Sequence, residues 1–297
     1  MDINFEYYKI FYYVAKYENI TKAAAALGRN QPNVTRVIKL LESQLGNQLF
    51  VREARGLSLT EKGELLYSHV EIACRHLLNA QEEIGRQSSL SCGKVEIGAT
   101  ETALHLFLLD ALHRFRLEYP EIKIKIHNHS TPETIRYLFN GKLDFAVITS
   151  PFELPQTASC SKIMDYNEIL VGGTQYIDLC KNTLELKNIK NYPLIGLGRG
   201  SATYRLYKDF FIENGVDYEL DMEVATSDLM LPLIENNFGI GFAAKKLAMP
   251  LFAEKKLVHI PIDCQIPVRS IQIVSDNKRG KSLAADTLYK YLKREKV

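Results

Sequence analysis

The side chains of this 297-residue chain that stand in informative patterns are amides, hydroxyls and cations rather than paired acids or nucleophiles. Gln31, Asn33, Thr35, Arg36 and Lys39 share one stretch with Val34, Val37, Ile38, Leu41 and Leu45. At helical spacing the apolar set faces inward and the polar set outward. Carboxamides, a hydroxyl and two cations on one helix face can read base edges and hold phosphates. The elements before it must position that face. Residues 5–17 carry Phe5, Tyr8, Phe11, Tyr12 and Ala15 at helical spacing. Thr21 is placed to cap a short helix through Leu27, which Gly28 breaks. Asn30 can cap the next helix, with Pro32 in its first turn, where a missing N–H costs nothing. Ala24 is small where two helices must approach. Together these make a helix-turn-helix. The competing interpretation is a plain helical hairpin with a solvated polar face.

The following residues favour the first interpretation. Residues 49–52 and 56–59 read as two short strands around a turn at 53–55, a small wing bearing Arg52 and Arg55. Arginines there would add salt-sensitive, sequence-independent affinity for a phosphate backbone. Thr60 can cap a long helix ending near residue 88. Leu66, Val70, Ala73, Leu77, Ala80 and Ile84 recur along it at alternating spacings of four and three, a heptad seam. At 1.5 Å per residue such a helix is ~40 Å long, and pairing with a second copy would cover its seam. Packing on the chain's own C-terminal part is the alternative.

Residues 88–93, Ser-Ser-Leu-Ser-Cys-Gly, read as a hinge. Beyond them strands are expected at 94–98, 122–127 and 144–149, with helices at 102–118 and 134–140, the pattern of a parallel sheet with crossover helices. A second set follows, with strands at 168–172, 194–197, 222–226 and 240–243 and helices at 203–214, 227–236 and 244–252. One more strand at 270–274 and a helix at 283–293 complete it. Two α/β subdomains with a cleft are implied, the first at about 94–161 and 267–297, the second at about 162–266. Ligands of such sheets bind beyond the carboxyl ends of strands. Reading off those ends gives Thr100, Thr102, Ser130, Thr131 and Thr149, then Ser201, Thr203 and Thr226, with Arg199 as a source of charge. Hydroxyls beside helix N-termini suit a small anionic or polar molecule.

Other chemistry is poorly represented. The run Gly196-Leu197-Gly198-Arg199-Gly200-Ser201 lacks the third glycine of a dinucleotide loop. His105, His113, His127 and His129 have no Cys or acidic partner at zinc spacing. No nucleophile elbow or matched base is visible, so neither an enzyme nor a metal or cofactor site is expected. Five cysteines, at 74, 92, 160, 180 and 264, form no C-x-x-C pair, which suits a reducing cytosol. No apolar run approaches the ~18 residues of a membrane span, and the N-terminus lacks the basic head of a signal peptide. The formal charge of +2 hides an asymmetry. Residues 1–60 hold eight Lys or Arg against five Asp or Glu, whereas residues 61–93 hold three against five. The positive excess lies with the helix-turn-helix.

Several segments in order then carry a resemblance: Ala23-Ala24-Ala25-Ala26-Leu27, Gln31-Pro32-Asn33-Val34-Thr35, Leu41-Glu42-Ser43-Gln44-Leu45-Gly46, Leu49-Phe50-Val51-Arg52 and Leu59-Thr60-Glu61-Lys62-Gly63. At this spacing the N-terminal third resembles the LysR-type transcriptional regulators. The resemblance continues through Phe115 to Pro120, Gly141-Lys142-Leu143-Asp144 and Phe238-Gly239-Ile240-Gly241. The chain departs from the family at Asn19-Ile20-Thr21, where Ser-Phe-Ser or Ser-Phe-Thr is common. It departs again at Asn33 and Thr35, usually Ala and Ser, and at Ala243-Ala244, where a proline is usual. The resemblance implies a winged helix-turn-helix at 1–60, a linker (dimerisation) helix at 61–87 and a hinge at 88–93. A periplasmic-binding-protein-like effector domain follows at 94–297. It also implies promoter DNA, a small-molecule effector, a homodimer or homotetramer, and contacts with RNA polymerase. Two rival functions stand beside this one: an enzyme or solute-binding α/β protein, for which no acid/base pair is visible, and a DNA-architectural protein, which predicts a footprint that no ligand changes.

Overall fold

The computed structural model describes residues 3–53, 56–85 and 93–295. They divide into two compact units, Met1–Ser88 and Ser89–Val297.

In the first unit α1 (Phe5–Tyr17), α2 (Ile20–Ala26) and α3 (Gln31–Leu45) precede an antiparallel ladder of β1 (Phe50–Glu53) and β2 (Gly56–Leu59). The long helix α4 (Glu61–Gly85) follows. Ile10, Phe11, Val14, Ala23, Ala24, Val34, Val37 and Leu41 form one buried core. Gly28 takes the left-handed conformation between α2 and α3 (φ 63°), which a side chain would strain. The cap of α2 differs from the expectation: the Asn19 side chain accepts the Lys22 N–H, and Thr21 lies inside the first turn. Asn30 does cap α3, accepting the Asn33 N–H.

The junction into α4 explains several of the patterned residues. Glu42 Oε1 accepts the N–H groups of Leu49 (2.8 Å) and Phe50 (3.2 Å), tying the end of α3 to the ladder. The Thr60 hydroxyl donates to the Gln48 carbonyl and accepts the Gly63 N–H. A Cβ on Gly63 would stand 2.1 Å from the Leu49 carbonyl oxygen, so only glycine permits this approach. The heptad seam is split. Val70 is buried in the unit's own core and Leu66 packs against it, so neither is free for a partner. Ala73 and Leu77 are exposed, Leu77 at 62%. The side chains of Ala80 and Ile84 lie outside the described residues, as do residue 55 and the expected hinge from 88 to 92.

The second unit contains two five-stranded sheets in the orders β4-β3-β5-β12-β6 and β11-β7-β10-β8-β9. The first is built from β3 (Gly93–Ala99), β4 (Ile122–Asn128), β5 (Phe145–Thr149), β6 (Ala158–Tyr166) and β12 (Arg269–Asp276). The second uses β7 (Glu168–Gly173), β8 (Leu194–Leu197), β9 (Met222–Val224), β10 (Ile240–Ala244) and β11 (Leu257–His259). Neither sheet is purely parallel, contrary to expectation. β12 runs antiparallel to both β5 and β6, and β7 runs antiparallel to β10 and β11. The sequence pattern missed β6, in which only Ile163 and Tyr166 are buried and Cys160, Lys162 and Asp165 are exposed, so the apolar alternation of a strand is absent. All of β6 pairs within the first sheet, so the chain crosses between sheets after Tyr166 rather than near residue 161.

The helices that matter for the cleft begin at strand ends. α5 (Glu101–Ala103), a π-helical turn (Leu104–Leu108) and α6 (Leu109–Glu118) form one continuous run. α7 (Thr131–Phe139) starts three residues earlier than expected, with Pro132 in its first turn. α8 (Ala202–Glu213) is capped by Ser201, and α9 (Met230–Glu235) follows a 3-10 turn at Ser227–Leu229. α10 (Lys245–Ala253) and α11 (Leu283–Arg294) complete the helices. Among the described residues no helix is long and apolar enough to cross a membrane.

The cap assignment is testable. Asn19→Ala should destabilise the first unit by about 1 kcal/mol, whereas Thr21→Ala should change it by less than about 0.5 kcal/mol. Hydrogen exchange of the α2 amides in the intact chain reports both.

Candidate functional site

Two surfaces bring the singled-out residues together, one in each unit. On α3, Val34, Val37, Ile38 and Leu41 are buried, whereas Gln31, Pro32, Arg36 and Lys39 are exposed and Asn33 and Thr35 half-buried. The face stays polar because the core is already filled by the other side of the same helix. Asn30 spends its carbonyl oxygen on the cap. The Thr35 hydroxyl donates to the Gln31 carbonyl at 3.0 Å, leaving its oxygen able only to accept. Among the described hydrogen bonds the carboxamides of Gln31 and Asn33 and the cations of Arg36 and Lys39 are not engaged. Arg29, two residues before α3, is held by Glu6 at 2.7 Å. Arg52 belongs to β1, but its side chain lies outside the described residues.

In the second unit a cavity of about 340 Å³ lies between the two sheets. It is large enough for a small metabolite. Eight of the nine anticipated residues line it: Thr100, Thr102, Ser130, Thr131, Thr149, Ser201, Thr203 and Thr226. The first sheet supplies a polar wall of hydroxyls with Asn128 and His129. The second supplies Ile195, Leu197, Met230, Leu231 and Phe242, with Leu247 from α10, as an apolar wall. Thr100 precedes the helical run 101–118 without capping it, and its buried Oγ1 has no hydrogen-bond partner. Ser130 likewise makes no capping bond at α7. Ser201, by contrast, accepts the Tyr204 N–H.

The ninth residue is a correction. Arg199 does not line the cavity. Its side chain is 81% exposed and lies 3.9 Å from Glu223. The glycines on either side place it on an open turn, so its charge is spent in water. The cation of the cleft is Arg269, which sequence reasoning missed. Its side chain is 3% exposed and pairs with Glu168 at 3.0 Å. Its Nε donates to the Ser150 carbonyl, and its Nη2 donates to the hydroxyls of Thr149 and Thr203. Glu168 Oε2 accepts the Tyr207 hydroxyl at 2.6 Å. Burial alone would lower the Arg269 pKa, but the charge of Glu168 and its hydrogen bond outweigh it and raise it. The Tyr207 phenol is pushed well up, first by burial and then by Glu168. The guanidinium therefore stays charged and the phenol stays protonated. Arg269 and Glu168 are each a lone charge at the head of an apolar strand, and that placement is the signal that could have revealed them.

Of the four singled-out histidines, His105 and His129 stand at the cavity, whereas His113 and His127 do not line it. His105 pairs with Glu101 at 2.6 Å, and the Asn128 amide donates to the other Glu101 oxygen. His129 lines the cavity. His127 lies 2.9 Å from Glu96. Burial would raise the Glu96 pKa, but bonds from Lys94 and His127 and the charge of Lys125 hold it down at about 2. Among the described residues no three metal-ligating side chains converge.

The buried pair makes a stability prediction. Glu168→Ala should cost roughly 3–5 kcal/mol, because it strands a buried guanidinium. Glu168→Gln, which keeps an acceptor, should cost less. Chemical denaturation of the second unit would measure both.

Residues 88–296 match the family model of the LysR substrate binding domain. Residues 5–64 match that of the bacterial regulatory helix-turn-helix protein, lysR family. The chain is 25% identical over 279 residues to a probable RuBisCO transcriptional regulator of Cyanidium caldarium, covering 90% of this chain and 86% of that one. It is 24% identical over 278 residues to the HTH-type transcriptional regulator TdcA of Escherichia coli, covering 93% and 88%. The crystal structure of CbnR, a LysR family transcriptional regulator, shares the fold with a TM-score of 0.69 at 17% identity, over 99% of this chain and all of that one.

Proposed function

The chain belongs to the LysR family of bacterial transcriptional regulators, and from that premise we propose how its two surfaces act. α3 enters the major groove. Gln31, Asn33 and Thr35 face base edges, while Arg36 and Lys39 hold phosphates. Thr21, Asn30 and Pro32 approach the backbone at the helix entries, and Arg52 and Arg55 flank it from the wing. α4 pairs with a second copy through its exposed Ala73 and Leu77, and Ala80 and Ile84 extend the same heptad spacing. Two such dimers make a tetramer. The protein works in the cytoplasm, where its operator and RNA polymerase are.

The cavity between the sheets takes a small effector. The observation that carries this reading is the cleft itself: hydroxyls at strand ends on both sides, those of Thr100 and Ser130 at helix starts they do not cap, beside an apolar surface from the second sheet. Such a site suits a small organic acid whose carboxylate meets the hydroxyls and whose body meets Phe242, Met230 and Leu247. The anionic preference does not come from net charge, since Glu168 neutralises Arg269. It comes from oriented N–H and O–H dipoles.

Both halves can be tested on the intact protein. Arg36→Ala should weaken operator binding across sequences and reduce the salt slope of log K by about 1, whereas Asn33→Ala should lower discrimination at one base pair by roughly fivefold or more. Equilibrium binding at several salt concentrations measures this; footprints unaltered in both variants would refute the assignment. For the cleft, calorimetry with a panel of small carboxylates and their amides should find binding among the acids. Binding confined to neutral apolar molecules would sink the anionic reading.

A further inference from the structure

The polar side chains on the outer face of α3 differ in what they can offer a base. Gln31 and Asn33 carry carboxamides, each with donors and an acceptor, and Arg36 and Lys39 donate only. Thr35 is the exception. A hydroxyl has a single proton, and that of Thr35 goes to the Gln31 carbonyl oxygen one turn back, at 3.0 Å. The Thr35 oxygen is left with lone pairs alone. Of these five side chains, only Thr35 has no donor to present.

The direction of that oxygen is fixed as well. A β-branched side chain in a helix has few χ1 states, and a bond to the carbonyl of the preceding turn selects one of them. The helix beneath is firmly held. Its neighbours Val34 and Ile38 are buried in the core of the unit, and Asn30 caps the first turn. Thr35 itself is half-buried, so it keeps an outward surface.

Base edges in the major groove fall into two classes for such an oxygen. Adenine N6 and cytosine N4 are amino donors, whereas guanine O6 and thymine O4 are acceptors. A proton-free oxygen satisfies the first class. At the second it sets lone pair against lone pair and leaves both unpaired.

We propose that Thr35 is a specificity-determining residue that selects an amino-bearing base, adenine or cytosine, at one position of each operator half-site and rejects guanine and thymine there. The inference deepens the reading of α3 as the base-reading helix and rests on it. The hydroxyl does not separate adenine from cytosine. Gln31 and Asn33, whose carboxamides can pair with adenine N6 and N7, act at other positions.

The test is selection of bound duplexes from a randomised library by the full chain, followed by sequencing. The unmodified protein should favour adenine or cytosine over guanine or thymine by about fivefold at one position per half-site, the effect of one hydrogen bond. Thr35→Val keeps the shape and the branching but has no oxygen. Its preference at that position should disappear while the other positions keep theirs. A merely structural role would instead weaken binding to all sequences alike. If that variant does not fold, Thr35→Ala gives the same comparison. Thr35→Ser can form the same back-bond and should retain the preference; its loss there would assign the effect to the methyl group and overturn the inference. Guanine or thymine favoured at the position that Thr35→Val alters also overturns it. So does a set of preferences that Thr35→Val leaves unchanged, and if Asn33→Ala alters one of them the base-reading helix still stands. Selection that enriches no sequence removes both readings together.

Discussion

The cleft of the second unit depends on a guanidinium and a carboxylate buried together where the chain crosses between its two sheets. Glu168 opens β7 directly after the outward crossing, and Arg269 opens β12 directly after the return. Taking two such ions out of water is costly, and their mutual attraction repays it only when the remaining hydrogen-bonding groups are satisfied. Here they are, by Ser150, Thr149, Thr203 and Tyr207. Those partners come from both sides of the cleft, so the pair ties the two sheets to each other at their crossings. Tyr166, opposite Arg269 in the β6–β12 ladder, lays its ring 5.5 Å from the guanidinium. The rest of the cavity surrounds that knot: hydroxyls from both sheets' strand ends, with the apolar side chains supplied by the second.

The first unit solves a different problem with simpler means. One helix must be anchored firmly and yet leave a whole face uncommitted. α3 does this by burying Val34, Val37, Ile38 and Leu41 against α1 and α2 and by lending Glu42 to the ladder. The polar face then carries no structural duty, apart from the Asn30 cap and the Thr35 back-bond. Side chains free of such duty can be exchanged without unfolding the domain. This is why Asn33 and Thr35 can differ from the usual family residues while the helix-turn-helix stays intact.

Much of this was legible in the chain itself, for local reasons. Asn30, Pro32 and Gly28 announce the turn into α3 by chemistry that acts over a few residues. Thr100, Ser130, Ser201 and Thr226 were readable as strand-end hydroxyls because α/β units place their loops on one side of a sheet. The errors were also local. Thr21 and Asn19 are both competent caps two residues apart, and spacing alone favoured the wrong one. Leu66 and Val70 have heptad spacing, but a seam looks the same whether it faces a partner helix or its own domain.

Sequence by itself determined which stretches are helix and strand, that one helix offers a polar face of amides and cations, and that hydroxyls cluster at strand ends. Those properties follow from periodicity and from capping chemistry, which operate within a turn or a strand. Tertiary structure alone decided which cation enters the cleft. Arg199 lies beside Ser201 in the chain yet points into water, whereas Arg269, distant in sequence from every hydroxyl it touches, is drawn inside by Glu168. A buried charge is tolerated only beside its partner, and that partner, 101 residues away, becomes a neighbour only when the two crossings lie side by side.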